Sequence, residues 1–424
     1  MGGQRDIPQK GGKAMASKTA AGSAGRGRKA AKQAVTAPDN SLKPTKKLKL
    51  FSLSNGFDMP FFIILMLVLV VGLISLFSAS YAYAYYWYDQ DSYYFIKRQL
   101  LFAVGGVVIM LLVSMVDYHI LHRFAVPVMI LSWGLLVLVL FLPAIQNVHR
   151  WIRVPGLGQF QPSEVAKFGL ILLFAHLISL NHKNMKTFLK GFLPFLLILG
   201  VTCALVFKEP HLSGTMLLLA IGLVLMYVGG TRLIYLLVTI GGGGAAAAFL
   251  IFVKGYERER IDVWLDPFSV FTAGTEGKDM AWQTVQSLYA IGSGGLMGQG
   301  LGNSRQKHLF LPEPQNDFIF AIVCEEMGFI GAVIVILLFA LLVWRGFMIG
   351  MKAPDKFGSM LAIGLTAQIG IQVVFNMAVV TNTIPNTGIS LPFFSYGGTS
   401  LVMLLAQMGL VLSVSRHMKR NDSG

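Results

Sequence analysis

Charged residues are scarce. They make up 13% of the 424 residues, about half the ~25% usual in soluble domains, while hydrophobic residues reach 54% and mean hydropathy is +0.64. This balance excludes an ordinary soluble domain and places the chain among polytopic membrane proteins. Cysteine is nearly absent. Cys203 and Cys324 both lie in apolar runs, which leaves no disulfide framework and makes them small packing residues. There is no HExxH, no cluster of Cys or His ligands and no GxSxG. The glycines of IGSGGLMGQGLGNS follow no expected strand, and no acidic residue follows at the required distance. A dinucleotide fold is therefore excluded, and these glycines instead let the backbone approach a ligand closely.

Acidic residues number 20 against 35 Lys and Arg, a net charge of +15. Much of that excess is local, because residues 1–50 hold 12 of the 35 basic residues against only Asp6 and Asp39. This Ala-, Gly- and Lys-rich stretch has few large apolar residues and is expected to be a disordered basic cytoplasmic tail whose charge suits contact with anionic lipid. It shows no aromatic interleaving that would mark a nucleic-acid partner. It also has no apolar core or small-residue site of a signal peptide, so no processing is expected.

What the chain does have is long apolar runs. A bilayer span needs roughly 20 residues, and ten candidates are read at about 60–80, 99–116, 124–143, 163–180, 191–207, 212–229, 232–253, 317–345, 357–381 and 391–415. The fourth is interrupted by Glu164, Lys167 and His176. The fifth and sixth form a tight hairpin around Pro210. Small residues GGGGAAAA at 241–248 suit close helix approach or a hinge. The expected fold is all-α and polytopic, with residues 51–424 as one membrane domain. Lys and Arg in short loops place both termini in the cytoplasm. The long loop 254–316 between the seventh and eighth spans then faces outward, as does the aromatic run YAYAYYWY at 81–88.

Ionisable residues inside or at the mouth of spans are functional candidates. Asp317, in LPEPQNDFIF, can be read as a helix N-cap or as a catalytic carboxylate. Glu325 lies eight residues on, roughly 12 Å deeper, too far for the two to act as a close carboxylate pair. Glu325 and Glu326 fit a buried polar network better. In HRWIRVPGLGQFQPSEVAKF, Glu164 and Lys167 can neutralise each other at i,i+3. Alternatively, Arg150 and Lys167 bind an anionic lipid headgroup. KEP at 208–210 with His211, Ser213 and Thr215 forms a third set. Arg258 and Arg260, in YERERIDVWLDPF, form a fourth.

The strings RWI…QPSEVAKF, EPHLSGT, RERIDVWLDPF, VQSLYAIGSGGLMGQGLGNSRQKHLFLPEPQNDFIFAIVCEEMGFIG and NTGISLPFFSYGGTSL occur in this order. Together they resemble the SEDS family (shape, elongation, division and sporulation) across essentially 58–415. GLGNSRQKHLFLPE is similar to the cell-division branch and its sporulation relative rather than the rod-shape branch. The resemblance implies ten helices in the bacterial cytoplasmic membrane and a peptidoglycan glycosyltransferase that polymerises lipid II at the division septum. It also implies a class B penicillin-binding protein transpeptidase as partner, beside other division-machinery membrane proteins. The family's essential acid falls on Asp317. Asn316 stands in place of the usual Thr, His211 in place of a common Asp, and Trp282 in place of a usual Tyr.

The expected chemistry uses Asp317 as general base on the 4-hydroxyl of an incoming lipid II, with undecaprenyl pyrophosphate as leaving group. The expected substrate-binding set is Arg150, Ser163, Glu164, Lys167, Arg258, Arg260, Gln283, Lys307, Glu325 and Ser395. No cofactor is assigned, and assistance by a divalent cation is left open. A lipid II flippase and a division scaffold are the competing readings.

Overall fold

The computed structural model describes residues 56–143, 149–154, 158–252 and 258–418. The basic tail expected over 1–50 lies outside them. Helices α1 (Met59–Trp87), α2 (Tyr94–Met115), α3 (Leu121–Phe141), α4 (Pro162–Asn181), α5 (Leu193–Lys208) and α6 (Leu212–Gly229) are followed by α7 (Leu233–Phe252). Three helices of the long loop come next: α8 (Arg258–Leu265), α9 (Pro267–Thr272) and α10 (Thr275–Gly294). Then come α11 (Ile319–Met351), α12 (Lys356–Val380) and α13 (Gly398–Arg416). Among the described residues, nine helical segments are long and apolar enough to cross a membrane. The remaining expected span corresponds to α7, whose apolar stretch is the shorter Leu233–Ala245. The protein is a multi-pass membrane protein of α-helices. The only strands among the described residues are the short antiparallel pair β1 (Ile152–Val154) and β2 (Gly158–Phe160).

Local signals set the helix starts. Asp58 caps α1 by accepting from Phe61 N at 2.9 Å, and Asp355 caps α12 by accepting from Gly358 N at 2.9 Å. Pro162 opens α4, where its missing N–H costs nothing. The start of α1 and the end of α13 meet, because Asp58 N donates to Ser415 Oγ at 3.0 Å. Arg345 clamps the same Asp58 with two bonds of 3.0 and 2.8 Å. The start of α1 and the end of α13 therefore lie side by side.

Three helices form the centre. The apolar windows of α4, α12 and α13 are 67% buried, against 28% in α2 and α3. This explains why the most charge-interrupted span can exist: Glu164 and Lys167 of α4 face protein, not lipid. α12 packs on α4, α6 and α11, α13 lies along α2, and α10 lies against α11.

Two expected spans differ in detail. The last begins at Gly398, because the preceding Leu391–Gly397 segment folds as an irregular loop; Ser395 Oγ accepts from Leu391 N at 2.8 Å there. The eighth is broken at Gly328, with φ 66° and ψ −167°. A Cβ there would sit 2.2 Å from Gly298 N. The segment after α10 fills the break, with Phe329 N and Ile330 N donating to Gly295 O and Leu296 O at 2.9 and 3.2 Å. In return, Gln299 N and Gly300 N donate to the carbonyls of Glu325 and Glu326 at 3.0 and 2.9 Å. The long loop is thereby stitched into α11.

Candidate active site

Asp317 sits two residues ahead of α11, at the end of the Pro312–Phe318 turn. The N-cap position belongs to Phe318, and no side chain caps this helix, so the capping reading of Asp317 is corrected. The Pro-flanked turn delays the first helical residue to Ile319 and leaves the Asp317 carboxylate free of the helix end. Its main-chain carbonyl accepts from Asn376 Nδ2 of α12 at 2.7 Å, and the same amide donates to Ile389 O at 2.6 Å. Asn376 thus joins the segment before α11 to the loop before α13. Gly388 in that loop (φ 67°) lies so close that a Cβ there would be 3.1 Å from Asp317 Oδ2.

The environment makes Asp317 a weaker acid than usual. Loss of hydration is the main cause and the negative charge of Glu313 adds to it, raising the carboxyl to about 6 against an opposing pull from Arg150. Glu313 is held by Asn316 Nδ2 at 2.7 Å and by Tyr83 OH at 3.4 Å. A carboxylate titrating near neutrality at a half-buried helix mouth has the properties of a general base.

Arg150 bears on Asp317 electrostatically. Arg150, between α3 and β1, donates from Nε to the carbonyl of Glu209 at 3.1 Å. Lys167 pairs with Glu164 at 2.6 Å, both buried. The self-paired reading of these two is therefore met in the structure, while the second Glu164 oxygen and the Ser163 hydroxyl have no hydrogen-bond partner. His211, beside Gln161 at 3.5 Å, is pushed down to about 3 by burial and then by Arg150 and Lys167. It is neutral at physiological pH. Glu209 is fully buried, with both carboxyl oxygens unpartnered. The KEP string drew attention to this turn, but no spacing rule reveals that its carboxyl is buried without a partner.

Arg260 Nη1 of α8 donates to Asn386 O at 3.0 Å, and Asn386 Nδ2 donates to Gln283 Oε1 of α10 at 3.2 Å. Arg260 and Gln283 are thus brought to the loop that carries Gly388. Arg258 is exposed on α8. Gln283, Trp282, Lys278, Asp279 and Glu313 line a cleft of about 820 Å³.

Lys307 and Glu325 lie in the buried network that fastens the loop. Lys307 Nζ meets Glu326 Oε1 at 2.9 Å, where Ser78 Oγ also donates at 2.6 Å. Glu325 accepts from Ser304 Oγ at 2.5 Å and Arg305 N at 2.9 Å. Ser395 organises the loop before α13, and the next residue reaches the Asp317 turn through Tyr396 N to Gln315 O at 2.8 Å. Among the described residues, no three His, Cys, Asp or Glu side chains converge as ligands for a metal ion.

Residues 58–420 match the FtsW/RodA/SpoVE family of cell cycle proteins. A probable peptidoglycan glycosyltransferase FtsW of Geobacter sp. (strain M18) is 38% identical, over 86% of this chain and 98% of that protein. The stage V sporulation protein E of Bacillus subtilis (strain 168) is 41% identical, over 85% and 97%. Among solved structures, a peptidoglycan synthase complex determined for its coordination of polymerization and crosslinking contains a similar chain. It has a TM-score of 0.69 and 27% identity, over 86% of this chain and 98% of that one. The rod shape determining protein RodA of Thermus thermophilus is similar with a TM-score of 0.61 and 26% identity, over 86% and 98%.

Proposed function

The chain belongs to the FtsW/RodA/SpoVE family of cell cycle proteins, and from that premise we propose that it is a peptidoglycan glycosyltransferase with Asp317 as its general base. It polymerises lipid II into β-1,4 glycan strands on the outer face of the bacterial cytoplasmic membrane during septal wall synthesis. The observation that carries the role of Asp317 is its carboxylate: uncapped, half-buried and raised to about 6, at the edge of a polar loop.

The growing strand, linked through its reducing end to undecaprenyl pyrophosphate, is the donor. Asp317 takes the proton of the 4-hydroxyl of an incoming lipid II as that oxygen attacks the donor's anomeric carbon. The anomeric C–O bond breaks on the opposite face, its electrons leave with the pyrophosphate, and the sugar inverts. Base assistance of this kind contributes about 10²–10⁴-fold. Arg150 and Lys167 stabilise the charge that develops on the departing pyrophosphate. Glu164 positions Lys167, Ser163 offers its unpartnered hydroxyl to the substrate, and Arg260 and Gln283 order the loop facing Asp317, while Arg258 meets the lipid-bound substrate at the surface. Lys307, Glu325 and Ser395 act by holding these segments in place.

The partner is a class B penicillin-binding protein, a reading supported by the likeness to a chain from a peptidoglycan synthase complex. The test is polymerisation of lipid II by the purified protein in detergent, with and without that partner. Strand formation is expected, with greater yield in the complex. Transport of lipid II into vesicles without strand formation in detergent would instead support a flippase, since transport needs two compartments and polymerisation does not.

A further inference from the structure

The chemistry at Asp317 leaves the cleft beside α10 without a role. We propose that this cleft is the subsite for the growing glycan strand, and that it recognises the strand as an amino-sugar polymer through rings, hydroxyls and amides. The inference rests on reading the protein as a lipid II polymerase.

Its volume, about 820 Å³, lies in the ~300–1,000 Å³ range of small-molecule sites. Its lining combines an aromatic platform with hydrogen-bonding groups. Trp282 Nε1 donates to Phe310 O at 2.5 Å, which fixes the ring against the loop. Phe271 flanks it with ring centroids 5.8 Å apart, and Lys278 Nζ sits 5.2 Å from its centroid. Lys278 is exposed on a flexible stem and can swing aside, leaving an amphipathic ring of the kind that stacks on the C–H face of a sugar. Gln283, Asp279 and Glu313 supply polar contacts for hydroxyl and acetamido groups.

Charge separates this cleft from a phosphate site. Lys278 is outweighed by Asp279 and Glu313 in this lining, whereas Arg150 and Lys167 are not part of it. The donor needs this polarity, since its pyrophosphate and its glycan lie on opposite sides of the anomeric carbon. The cleft is tied to the reactive centre through two of its lining residues. Gln283 is bonded to Asn386, two residues from the Gly388 that packs against Asp317 Oδ2. Glu313 lines the cleft and bears electrostatically on Asp317.

The test is saturation-transfer NMR of the full-length protein in detergent with a peptide-free, lipid-free oligosaccharide of the glycan. Binding is expected for the wild type and for Asp317→Asn. Trp282→Ala should weaken it about tenfold, the scale of one aromatic contact. Trp282→Phe, which keeps a ring but loses the bond to Phe310, should retain binding. Gln283→Ala provides a second weakened variant should Trp282→Ala fail to fold. Wild-type affinity in a folded Trp282→Ala, or in Gln283→Ala, overturns the subsite. A wild type that polymerises lipid II yet binds no oligosaccharide also overturns it. One that binds the oligosaccharide but forms no strands from lipid II overturns the polymerase reading instead.

Discussion

Arg150 and Glu209 are joined through the main chain: the guanidinium Nε donates to the Glu209 carbonyl at 3.1 Å, while the Glu209 carboxyl stays buried with neither oxygen bonded. Burial pushes that carboxyl from 4.5 up to about 8, against the pull of Arg150. At neutral pH Glu209 is therefore mainly an uncharged acid beside the cation expected to hold pyrophosphate.

Glu209→Gln should preserve the fold and most of the activity, because the amide keeps a neutral donor and acceptor of the same shape. The stability difference carries a sign. A carboxyl raised on folding makes the native state bind more protons, so wild-type stability falls as pH rises from 4.5 to about 8. Glu209→Gln should thus gain on the wild type across that window, by at most about 1.4 kcal/mol per pH unit, and hold a constant lead above it. Melting temperatures in detergent at several pH values read this directly, and a pH-independent difference contradicts it.

The proposed role of Asp317 sets an expectation for the pH dependence of turnover. A general base works only when ionised, so activity should fall about tenfold per pH unit as pH drops below about 6. Arg150 pulls this value down, so Arg150→Gln should move the acid limb to higher pH as well as lower the rate. An acid limb that stays in place in Arg150→Gln would separate the two residues electrostatically.

Much of this architecture is legible in the sequence. Apolar runs long enough to span a bilayer announce themselves, and Asp317 stands out as an acid at the mouth of one. The shortfall lies in what depends on partners distant in sequence. Lys307 reads as a cation available to substrate until Glu326 and Ser78 are found around it. Asn376 is an unremarkable polar residue of α12, yet it holds the Asp317 carbonyl. The break at Gly328 is hidden because hydropathy carries no backbone angle, and it forms only because Gly298 arrives from another segment. The capping reading of Asp317 fails for a local reason, since the Pro312–Phe318 turn carries the chain two residues past it before α11 begins.

The Lys307–Glu326 pair should be structural in effect. Both side chains are almost fully buried, and removing one leaves the other uncompensated at a cost of about 3–5 kcal/mol. Lys307→Met should therefore lower the melting temperature sharply. Lys307→Gln combined with Glu326→Gln should recover much of the loss, since neutral amides can still bond Ser78 and Ser304. A Lys307→Met protein of wild-type stability without activity would place Lys307 on the substrate instead.

Gly328 cannot be replaced cheaply. Its φ of 66° disfavours a side chain, and the Gly298 backbone occupies the space a Cβ needs. Gly328→Ala should cost about 1–3 kcal/mol and loosen the segment after α10, seen as faster hydrogen exchange at Leu296–Gly300. Unchanged exchange there would mean that α11 and the long loop are not coupled through this break.

The most direct measurement is strand synthesis from lipid II by purified Asp317→Asn protein beside the wild type, each with its partner transpeptidase. Asparagine keeps the size and hydrogen-bonding shape of the side chain but cannot accept the proton. The variant should fold, bind the partner and form strands at least about 10²-fold more slowly. Strands made at the wild-type rate would contradict Asp317 as the general base.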